Sequence, residues 1–436
     1  MGFSLIKKNV KKILPENILI QYHRTIAWFS ALYYGFPSKK MIIIGVTGTK
    51  GKTTTINYIG KILDEAKIQN AFLTSANKKI GNKEYLNDTH MSMPGNGAIQ
   101  RFLKSALKNG CTHAILEVTS EGLKLARHTG IDFDIAIFTN LSPEHLPSHK
   151  GSFAEYKKAK GLLFGSLRKN DKKIKNLPKT TIITNDDSGD SEYFKSFSAQ
   201  EYISFGLHSG TVQARILEST LLGTTFKVGD ETYKTSLPGS FVVYNALAAL
   251  CVAKALSLST ELVKNALQKV TYIPGRMEII ATEPFVVIVD YAHEKLSMES
   301  ILESAKTFVP SSGKILVLFG AQGGGRDKDK RKYMGTASGK MADIVILTAD
   351  DSYEEKTEDI INDIVPFVLQ EGKIMNQSVF CIPNREEAIK KAFDIAKKGD
   401  VVILAGKGAE QQIYINGRSI PWDDRKVAKK YLNVHD

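Results

Sequence analysis

Short apolar runs alternate with longer stretches of helical periodicity from residue 41 onward. Such alternation is typical of a parallel sheet covered by helices on both faces. Residues 211–235 instead alternate apolar and polar positions between glycine turns, which predicts antiparallel hairpins at the edge of that sheet. The strand candidates of this first region are 41–46, 112–118, 134–139 and 181–184, and its helix candidates include 97–109 and 153–168.

The alternation restarts after Pro274 and Gly275, a pair that interrupts regular structure and predicts a hinge between domains. The 436 residues also exceed the ~250 to 300 residues at which single cores stop growing. We therefore predict an α/β fold with a leader at 1–40, a central domain with a mostly parallel sheet at 41–274, and a smaller Rossmann-like C-terminal domain at 275–436. In this last part, strands are predicted near 285–289, 314–319, 343–347, 378–382 and 400–404, and helices near 297–308, 357–370 and 385–397.

The positive charge of the chain is concentrated in the leader. Of the formal net charge of +13, residues 1–40 supply seven basic residues against the single acidic residue Glu16. The apolar run 25–36 is shorter than the ~20 residues needed to cross a bilayer. Two interpretations of the leader stay open: a helix that packs on the body of the protein, and an interfacial helix that touches anionic lipid.

The overall composition, with 42% hydrophobic and 24% charged residues, is that of a soluble globular protein. The three cysteines, Cys111, Cys251 and Cys381, lie far apart and form no CxxC pair, which argues against a zinc ribbon or a dithiol redox site. A reducing compartment fits this usage of cysteine. We therefore expect a cytoplasmic protein, with membrane association if the leader touches lipid.

The segment "GVTGTKGKTTT", residues 45–55, follows an apolar run and precedes a helix-like stretch. Its glycines let backbone N–H groups turn toward phosphate oxygens, and the helix that follows presents its positive end. Lys52 can reach the β- and γ-phosphates of a nucleotide, and Thr53 can hold Mg²⁺. We therefore predict a P-loop in the central domain, although Val46 takes the place of the first glycine of a strict P-loop. The predicted nucleotide contacts of the loop are Gly48, Thr49, Gly51, Lys52, Thr53 and Thr54.

Eight further motifs follow the loop. They are "LEVTSEGL" (116–123), "DIAIFTNLSPEHLPSH" (134–149), "EYKKAKGLLF" (155–164), "YNALAAL", "PGRME", "VDYAH", "LFGAQGGGRDKDKR" and "GKGAE". Together with "TGTKGKTTT" they resemble, in the same order, the motifs of the Mur ligase family, and they cover the chain from about 41 to 410. The resemblance is greatest to the branch that adds the third amino acid of the peptidoglycan stem.

The resemblance implies an ATP-dependent carboxylate–amine ligase. In this chemistry a carboxylate of the peptidoglycan precursor attacks the γ-phosphate of ATP to give an acyl phosphate, and the amine of an amino acid then displaces phosphate. Because both partners of the first step are anions, cations have to hold them together. The implied catalytic residues are Lys52, Glu117, His145 and Lys160.

The implied cofactors are two Mg²⁺ ions and a carbamylated lysine. The lysine is Lys160, which reacts with CO₂ in this family and becomes an anionic metal ligand. Lys157 and Lys158 lie beside it, and only the register of the "AK..LF" pattern singles out Lys160. The implied metal ligands are Thr53, Glu117, His145 and Lys160.

Further roles are implied in both domains. Asn245 resembles a residue that contacts adenine, Arg276 one that meets the ATP phosphates, and Asp290 and His293 residues near ribose and phosphate. The resemblance therefore implies closure of the domains before chemistry. Lys330 and Arg331 end a run, 323–331, that we expect to be a flexible basic loop near the site. The implied substrate contacts are Ser92, Thr119, Asp350, Asp351 and Glu410.

The chain departs from the family pattern at several points. Only about 40 residues precede the central domain, so the domain that usually binds the UDP end of the substrate is expected to be missing. The amino-acid-selecting motif DNPR reads Asp350-Asp351-Ser352-Tyr353, without the arginine that clamps a distal carboxylate. Ala409 replaces a histidine, while Glu410 remains available to an ammonium group. The added amino acid, diaminopimelate, lysine or another, and the UDP linkage of the acceptor therefore stay open.

Two alternatives also stay open. One is a Mur-family ligase or amidating enzyme that acts on a different acceptor or amine. The other is a P-loop NTPase that binds nucleic acid, whose affinity would fall steeply with salt. The ligase motifs of the C-terminal half favour the ligase. We therefore expect a monomer whose partners are a peptidoglycan precursor and an amino acid, without nucleic acid and with peripheral membrane contact through 1–40.

Overall fold

The computed structural model describes residues 15–432 except for 90, 96, 145, 173 and 326. The chain divides into two compact units. The first unit contains the described residues up to Arg215 together with Lys227–Glu231 and Val243–Lys269. The second contains Ile216–Phe226, Thr232–Val242 and the described residues from Val270 onward.

The larger sheet has eleven strands within the described part of the chain. They are β1 (Ile42–Thr47), β2 (Asn70–Leu73), β3 (Asn77–Ile80), β4 (Lys83–Leu86), β5 (His113–Glu117), β6 (Ile135–Phe138), β7 (Thr181–Asn185), β8 (Glu201–Gly206), β9 (Val212–Thr220), β10 (Gly223–Val228) and β11 (Glu231–Thr235). Their order is β11-β10-β9-β8-β7-β6-β1-β5-β2-β3-β4.

The first strand, β1, is fully buried and lies between two parallel neighbours, β5 and β6. Val46 near its end pairs with Glu117 at the end of β5, and Thr47 pairs with Phe138 at the end of β6. Since the carboxyl ends of parallel strands meet at one edge of a sheet, the loops that follow these strands converge there. This edge positions the candidate site.

Helices cover this sheet. Those that begin before residue 270 are α1 (Glu16–Tyr33), α2 (Lys52–Glu65), α3 (Ala98–Lys108), α4 (Ser120–Lys124), α5 (Phe153–Phe164), α6 (Ser191–Lys195), α7 (Val242–Ala255) and α8 (Thr260–Lys269). In α3 the buried residues Ile99, Leu103 and Ala106 recur at helical spacing, so one face of this helix packs into the core and the other faces solvent.

The second unit is built around a six-stranded sheet. Its strands are β12 (Glu278–Ala281), β13 (Val286–Asp290), β14 (Ile315–Phe319), β15 (Ile344–Leu347), β16 (Val379–Cys381) and β17 (Val401–Ala405), in the order β12-β13-β17-β14-β15-β16. All neighbours pair in parallel except β12 with β13. A small hairpin, β18 (Gln412–Ile415) and β19 (Arg418–Pro421), follows.

Helices of the second unit bury both faces of its sheet, because separate apolar clusters form on the two sides of the central strands. They are α9 (Lys295–Phe308), α10 (Asp329–Met341), α11 (Thr357–Leu369), α12 (Arg385–Ile395) and α13 (Asp424–Leu432). Arg385 is fully buried and donates two hydrogen bonds to Asp424, at 2.8 and 2.6 Å. This pair ties α12 to α13.

The predicted fold class is confirmed, and so are the hairpins at 211–235 at the edge of the larger sheet. The sequence pattern missed β2, β3, β4 and β8. The sequences of β3 and β4, "NKKI" and "KEYL", are too polar and short to resemble buried strands. The prediction of a loop over 323–331 is wrong for its end, since α10 begins at Asp329. Arg331 is buried and pairs with Glu355 at 2.9 Å and Asp363 at 2.7 Å, acidic partners too far along the chain to be anticipated.

The leader contains α1. This helix packs on the first unit through His23, Ala27 and Ala31, which are buried. Within the described residues, no helix combines the length and the apolar character required to cross a membrane.

Candidate active site

The predicted phosphate loop joins β1 to α2 and contains two glycines at positive φ. The φ angle is +150° at Gly48 and +83° at Gly51. A Cβ atom on Gly48 would lie 1.9 Å from Thr139 Oγ1, and one on Gly51 would lie 2.2 Å from Asn245 Oδ1. Both positions therefore require glycine, and Asn245 from α7 packs directly against the loop.

Two lysine side chains meet at one carbonyl group of this loop. Lys52 Nζ donates to Gly48 O at 3.0 Å and to Thr49 O at 2.9 Å, and Lys160 Nζ donates to Gly48 O at 2.8 Å. Lys160, from α5, is only 2% exposed. Burial lowers the pKa of Lys160 well below its ordinary value, and the charge of Lys52 lowers it further. The neutral amine of Lys160, which is the nucleophilic form, is therefore favoured.

The carboxylate of Glu117 lies at the end of β5 beside the start of α2. Its Oε2 accepts hydrogen bonds from Thr53 Oγ1 at 2.8 Å and from the Ser75 backbone N–H at 3.1 Å, and its Oε1 accepts one from Ser92 Oγ at 2.7 Å. Glu117 is buried. Carboxylate and hydroxyl oxygens are the ligands that Mg²⁺ prefers, so this group of oxygens fits a magnesium ion.

The segment after β6 holds the loop from the other side. The Lys50 backbone N–H donates to Asn140 Oδ1 at 2.8 Å, and Thr49 Oγ1 lies 3.1 Å from the hydroxyl of Tyr156. Lys50 Nζ is 3.1 Å from Glu144 Oε2, which is close enough for an ion pair. The Glu144 carboxylate is buried, and neither of its oxygens accepts a hydrogen bond of good geometry from the described residues. The loop is therefore held by polar contacts to β6 and α5 as well as by its own backbone.

Thr54, Thr119 and His145 are the remaining residues of the first unit that were predicted to belong to the site. Thr54 is buried in α2. Thr119 caps α4, since its side chain accepts a hydrogen bond from Gly122 N at 3.2 Å. His145 lies outside the described residues, so the predicted metal set is not complete here. Among the residues that the structure does describe, no cluster of three or more His, Cys, Asp or Glu side chains is arranged to hold a metal ion.

In the second unit, predicted residues surround the end of β13. The Met277 backbone N–H donates to Asp290 Oδ2 at 2.6 Å. The guanidinium of Arg276 lies over the ring of Tyr291, 4.4 Å from its centroid, and His293 Nδ1 lies 2.7 Å from Tyr291 O. Arg276, Asp290 and His293 are therefore brought together at the carboxyl edge of this sheet.

Three acidic residues of the second unit share one buried lysine. Lys407 Nζ lies 2.7 Å from Asp351 Oδ1, 2.5 Å from Glu410 Oε2 and 3.8 Å from Asp350 Oδ1. Asp350 Oδ2 is buried and has no hydrogen-bond partner among the described residues. Burial raises the pKa of Glu410 to about 7; the charge of Lys407 opposes this rise, and the charges of Asp350 and Asp351 add to it. The cluster carries more negative than positive charge.

Comparisons with known proteins agree with this geometry. The chain matches the Mur ligase middle domain over 46–253 and the Mur ligase glutamate ligase domain over 275–408. It is 35% identical over 427 residues to a UDP-N-acetylmuramoyl-L-alanyl-D-glutamate–2,6-diaminopimelate ligase of Geobacillus thermodenitrificans, with 95% of this chain and 84% of that relative covered. The chain belongs to the Mur ligase family.

Other relatives of this Mur ligase give the same result. It is 34% identical over 418 residues to a UDP-N-acetylmuramyl-tripeptide synthetase of a Roseiflexus species, with 93% of this chain and 81% of that relative covered. A solved structure of a UDP-N-acetylmuramoyl-L-alanyl-D-glutamate–2,6-diaminopimelate ligase is 29% identical, with a TM-score of 0.60. That alignment covers 90% of this chain and 78% of the solved one. The family resemblance predicted from the motifs is confirmed.

Several residues of the site in this Mur ligase were not predicted. Tyr156 lies in the quoted motif "EYKKAK", Glu144 is next to His145, and Lys407 is the lysine of "GKGAE". Each of these three residues lies in a motif that the sequence analysis quoted, but no role was predicted for it. Ser75, by contrast, follows a short strand that the sequence pattern missed, so its backbone contact with Glu117 had no sequence signal.

Proposed function

We propose that this Mur ligase is an ATP-dependent acid–amino-acid ligase that adds an amino acid to a peptidoglycan precursor, a UDP-MurNAc-dipeptide or a related acceptor. The observation that carries the proposal is the convergence of Lys52 and the buried Lys160 on Gly48 O, beside the Glu117–Thr53 pair, in a chain whose relatives are named as such ligases. The proposed organisation keeps the leader at 1–40, the ATP-binding domain at 41–274 and the C-terminal domain at 275–436.

The proposed reaction has two steps. An oxygen of the acceptor carboxylate attacks the γ-phosphorus of ATP, and ADP leaves with the electrons of the broken P–O bond. The nitrogen of the amine then attacks the carbon of the acyl phosphate, loses a proton and expels inorganic phosphate. Lys52 offsets the charge of the phosphates, and the loop N–H groups bind their oxygens. Asn245, which contacts the loop, is proposed to contact adenine, and Arg276, Asp290 and His293 are proposed as further nucleotide contacts.

The proposed cofactor is Mg²⁺, in two sites. Thr53 and Glu117 would hold one ion, because their oxygens already lie 2.8 Å apart. His145 and Lys160 are the proposed ligands of the other. When bound, Mg²⁺ would neutralise the repulsion between the triphosphate and the acceptor carboxylate.

We propose that Lys160 carries a carbamate. An ammonium group does not bind a cation, and Lys160 is buried next to the positive charge of Lys52. The lowered pKa supplies the neutral amine that reacts with CO₂, and the carbamate would turn a repulsive pair of cations into an attractive pair of opposite charges. The surroundings of Lys160 therefore fit the modification.

Substrate contacts are proposed in both units. Ser92, which donates to Glu117, and Thr119 are proposed to contact the muramoyl peptide. Asp350, Asp351 and Glu410 are proposed to contact the incoming amino acid, since their cluster has a surplus of negative charge and an unpartnered Asp350 oxygen. Such a cluster suits an ammonium group.

The proposed contact of Glu410 with the incoming amino acid should make KM for the amino acid depend on pH. The carboxyl of Glu410 is largely protonated below its pKa of about 7 and ionised above it. An ammonium group is attracted by the ionised form, so KM for the amino acid is expected to fall as pH rises through 7. Glu410→Gln is expected to remove this step and to raise KM above pH 7 by about tenfold, the value of one hydrogen bond to a charged group.

Steady-state kinetics at varied pH would check this expectation. Glu358→Gln, which removes an exposed carboxylate on α11, is the matched control and should leave KM unchanged. A Glu410→Gln enzyme that kept the pH-dependent KM of the wild type would remove Glu410 from the amino acid site.

The function itself is tested by phosphate release from ATP with UDP-muramoyl dipeptide and a panel of amino acids, including diaminopimelate and lysine. Release should require both the acceptor and one amino acid, and the product should gain the mass of that amino acid less one water. Release with acceptor and ammonia would instead favour the amidating alternative. Release driven by polynucleotide alone would overturn the ligase assignment in favour of a nucleic-acid-dependent NTPase.

We further propose that the enzyme is a cytoplasmic monomer with peripheral membrane contact through 1–40. The support for membrane contact is the charge of the leader and the exposed apolar side chains of α1.

A further inference from the structure

The outer face of α1 is apolar, although its inner face is already packed. Ala31 is buried against Gly130, where an added Cβ would lie 2.6 Å from the Ala31 Cβ. On the opposite side, Phe29 is 58% exposed and Tyr33 is 83% exposed. The helix therefore has a complete interface with the first unit and a second apolar face with no cover among the described residues.

This outer face is mainly apolar, although the exposed polar residues Gln21 and Thr25 also lie on it. At 100° per residue, its large exposed side chains fall within an arc of about 140°, with the buried alanines centred on the other side of the helix. Aromatic rings dominate it, and Trp28 and Phe29 contact each other edge to face at 5.2 Å. We call these residues the outer face of α1: Ile18, Tyr22, Trp28, Phe29, Leu32 and Tyr33.

Lysines flank α1 in the sequence on both sides. Lys39 and Lys40 are exposed shortly after α1, and four lysines precede the helix in the sequence. The single acidic residue of 1–40, Glu16, is paired with Lys124 and with Lys150, the latter at 3.6 Å. Its negative charge is thus offset by the body of the protein, and the leader presents a net positive charge to any partner. The four preceding lysines are Lys7, Lys8, Lys11 and Lys12.

The charge and the aromatic side chains of the leader indicate which kind of partner covers the outer face of α1. A second copy of the chain would bring two leaders of the same positive charge together, which opposes association. An anionic lipid surface attracts the lysines and accepts aromatic side chains at the level of its headgroups. A helix with one apolar face and flanking lysines is the arrangement that lies in such an interface rather than across it.

We propose that the outer face of α1 anchors the protein to anionic membranes, with the helix axis parallel to the bilayer and the flanking lysines on lipid phosphates. The proposal gives the peripheral contact a defined surface. It does not depend on the ligase activity, because it rests on the exposure of α1 and on the lysines that flank the helix in the sequence.

Co-sedimentation of the full chain with lipid vesicles tests the proposal. The wild-type protein is expected to bind vesicles that contain phosphatidylglycerol at least about tenfold more strongly than vesicles of phosphatidylcholine alone, and to lose this preference at high salt. The double substitution Phe29→Gln and Tyr33→Gln should lower binding by at least about tenfold, since two large side chains no longer leave water.

Control variants test whether vesicle binding requires the outer face of α1 or only exposed apolar side chains in general. Leu222→Gln removes an exposed apolar side chain of similar size on the β9–β10 turn, 80% exposed, and should leave binding unchanged. Replacement of Lys7, Lys8, Lys11 and Lys12 by Gln should remove most of the salt dependence. The thermal midpoints of the Phe29, Tyr33 and Leu222 variants should match the wild type, because these side chains are exposed.

Two results would overturn the proposal. The first is negligible binding to anionic vesicles by the wild-type protein, or equal binding by wild type and the double variant. The second is a concentration-dependent dimer, detected by sedimentation velocity without lipid, that the double variant abolishes, because the outer face would then be an interface between copies of this chain.

Discussion

Replacement of Lys160 by alanine is expected to lower kcat for ATP-dependent amide formation by at least about 100-fold, as loss of one strong electrostatic contact to a developing charge does. Lys160 Nζ lies 2.8 Å from Gly48 O, at the loop that is proposed to bind the triphosphate. Removal of its side chain deletes the anion that a carbamate would supply, and with it the charge that offsets Lys52 and a metal ion. The measurement is single-turnover phosphate release with saturating substrates.

Two comparisons separate this effect from a structural one. Lys160→Met keeps the buried volume but not the amine, so it should retain the thermal midpoint and still lose activity. Lys158→Ala removes an exposed lysine of the same helix and should behave like the wild type.

Carbon dioxide gives an independent readout. Wild-type activity should fall in CO₂-depleted buffer and return with bicarbonate, and a ¹³C-carbamate signal should appear in wild type but not in the Lys160 variants. An active Lys160→Met enzyme, or a wild type that is indifferent to CO₂ and lacks the signal, would contradict the carbamate.

Gly51→Ala is expected to reduce nucleotide affinity by about 100-fold or more and to destabilise the first unit. The φ angle of +83° costs an L-residue about 1–2 kcal/mol. The new Cβ would also lie 2.2 Å from Asn245 Oδ1, so that the loop or α7 has to shift, at a further cost of about 1–3 kcal/mol. Calorimetric titration with ATP and thermal unfolding measure the two effects.

A second glycine isolates the cause. Gly110 has a similar φ of +77° but nothing within 4 Å of its missing Cβ. Gly110→Ala should therefore show only the backbone strain, of about 1–2 kcal/mol, and no loss of nucleotide affinity. Adding Asn245→Ala to Gly51→Ala should restore part of the stability. Equal effects of the two glycine substitutions would mean that the contact with Asn245 is unimportant.

The strand, glycine turn and helix around residues 45–55 could be predicted because the information is local. Gly48, Gly51, Lys52 and Thr53 lie within six residues, and a strand before them and a helix after them are enough to aim their backbone at a phosphate. The pairing of Thr53 with Glu117 is not local, but Thr53 follows the buried strand β1 and Glu117 ends the adjacent strand β5, and adjacent parallel strands end at the same edge of a sheet. The resemblance to known motifs supplied the candidate roles that spacing does not.

Contacts between polar residues that are distant in the sequence could not be predicted. The carboxylates that pair with the buried Arg331 come from α11 and from the segment before it. The basic run 323–331, which resembles a solvated loop in the sequence, therefore ends in a partly buried helix. In the same way, nothing in the sequence indicates that Asp350 and Asp351 lie beside Lys407, because the aspartates follow β15 and the lysine follows β17. Only Glu410, three residues after Lys407, is its neighbour in the chain.

The sequence alone was therefore enough to predict the alternation of strands and helices, the α/β fold class and the family, because periodicity and short motifs are properties of neighbouring residues. Only the tertiary structure decided that Lys160 is buried beside Lys52, that three carboxylates share one ammonium group, and that α1 keeps an apolar face exposed. Burial and charge pairing depend on side chains that are distant in sequence, and these meet only when the sheets are assembled.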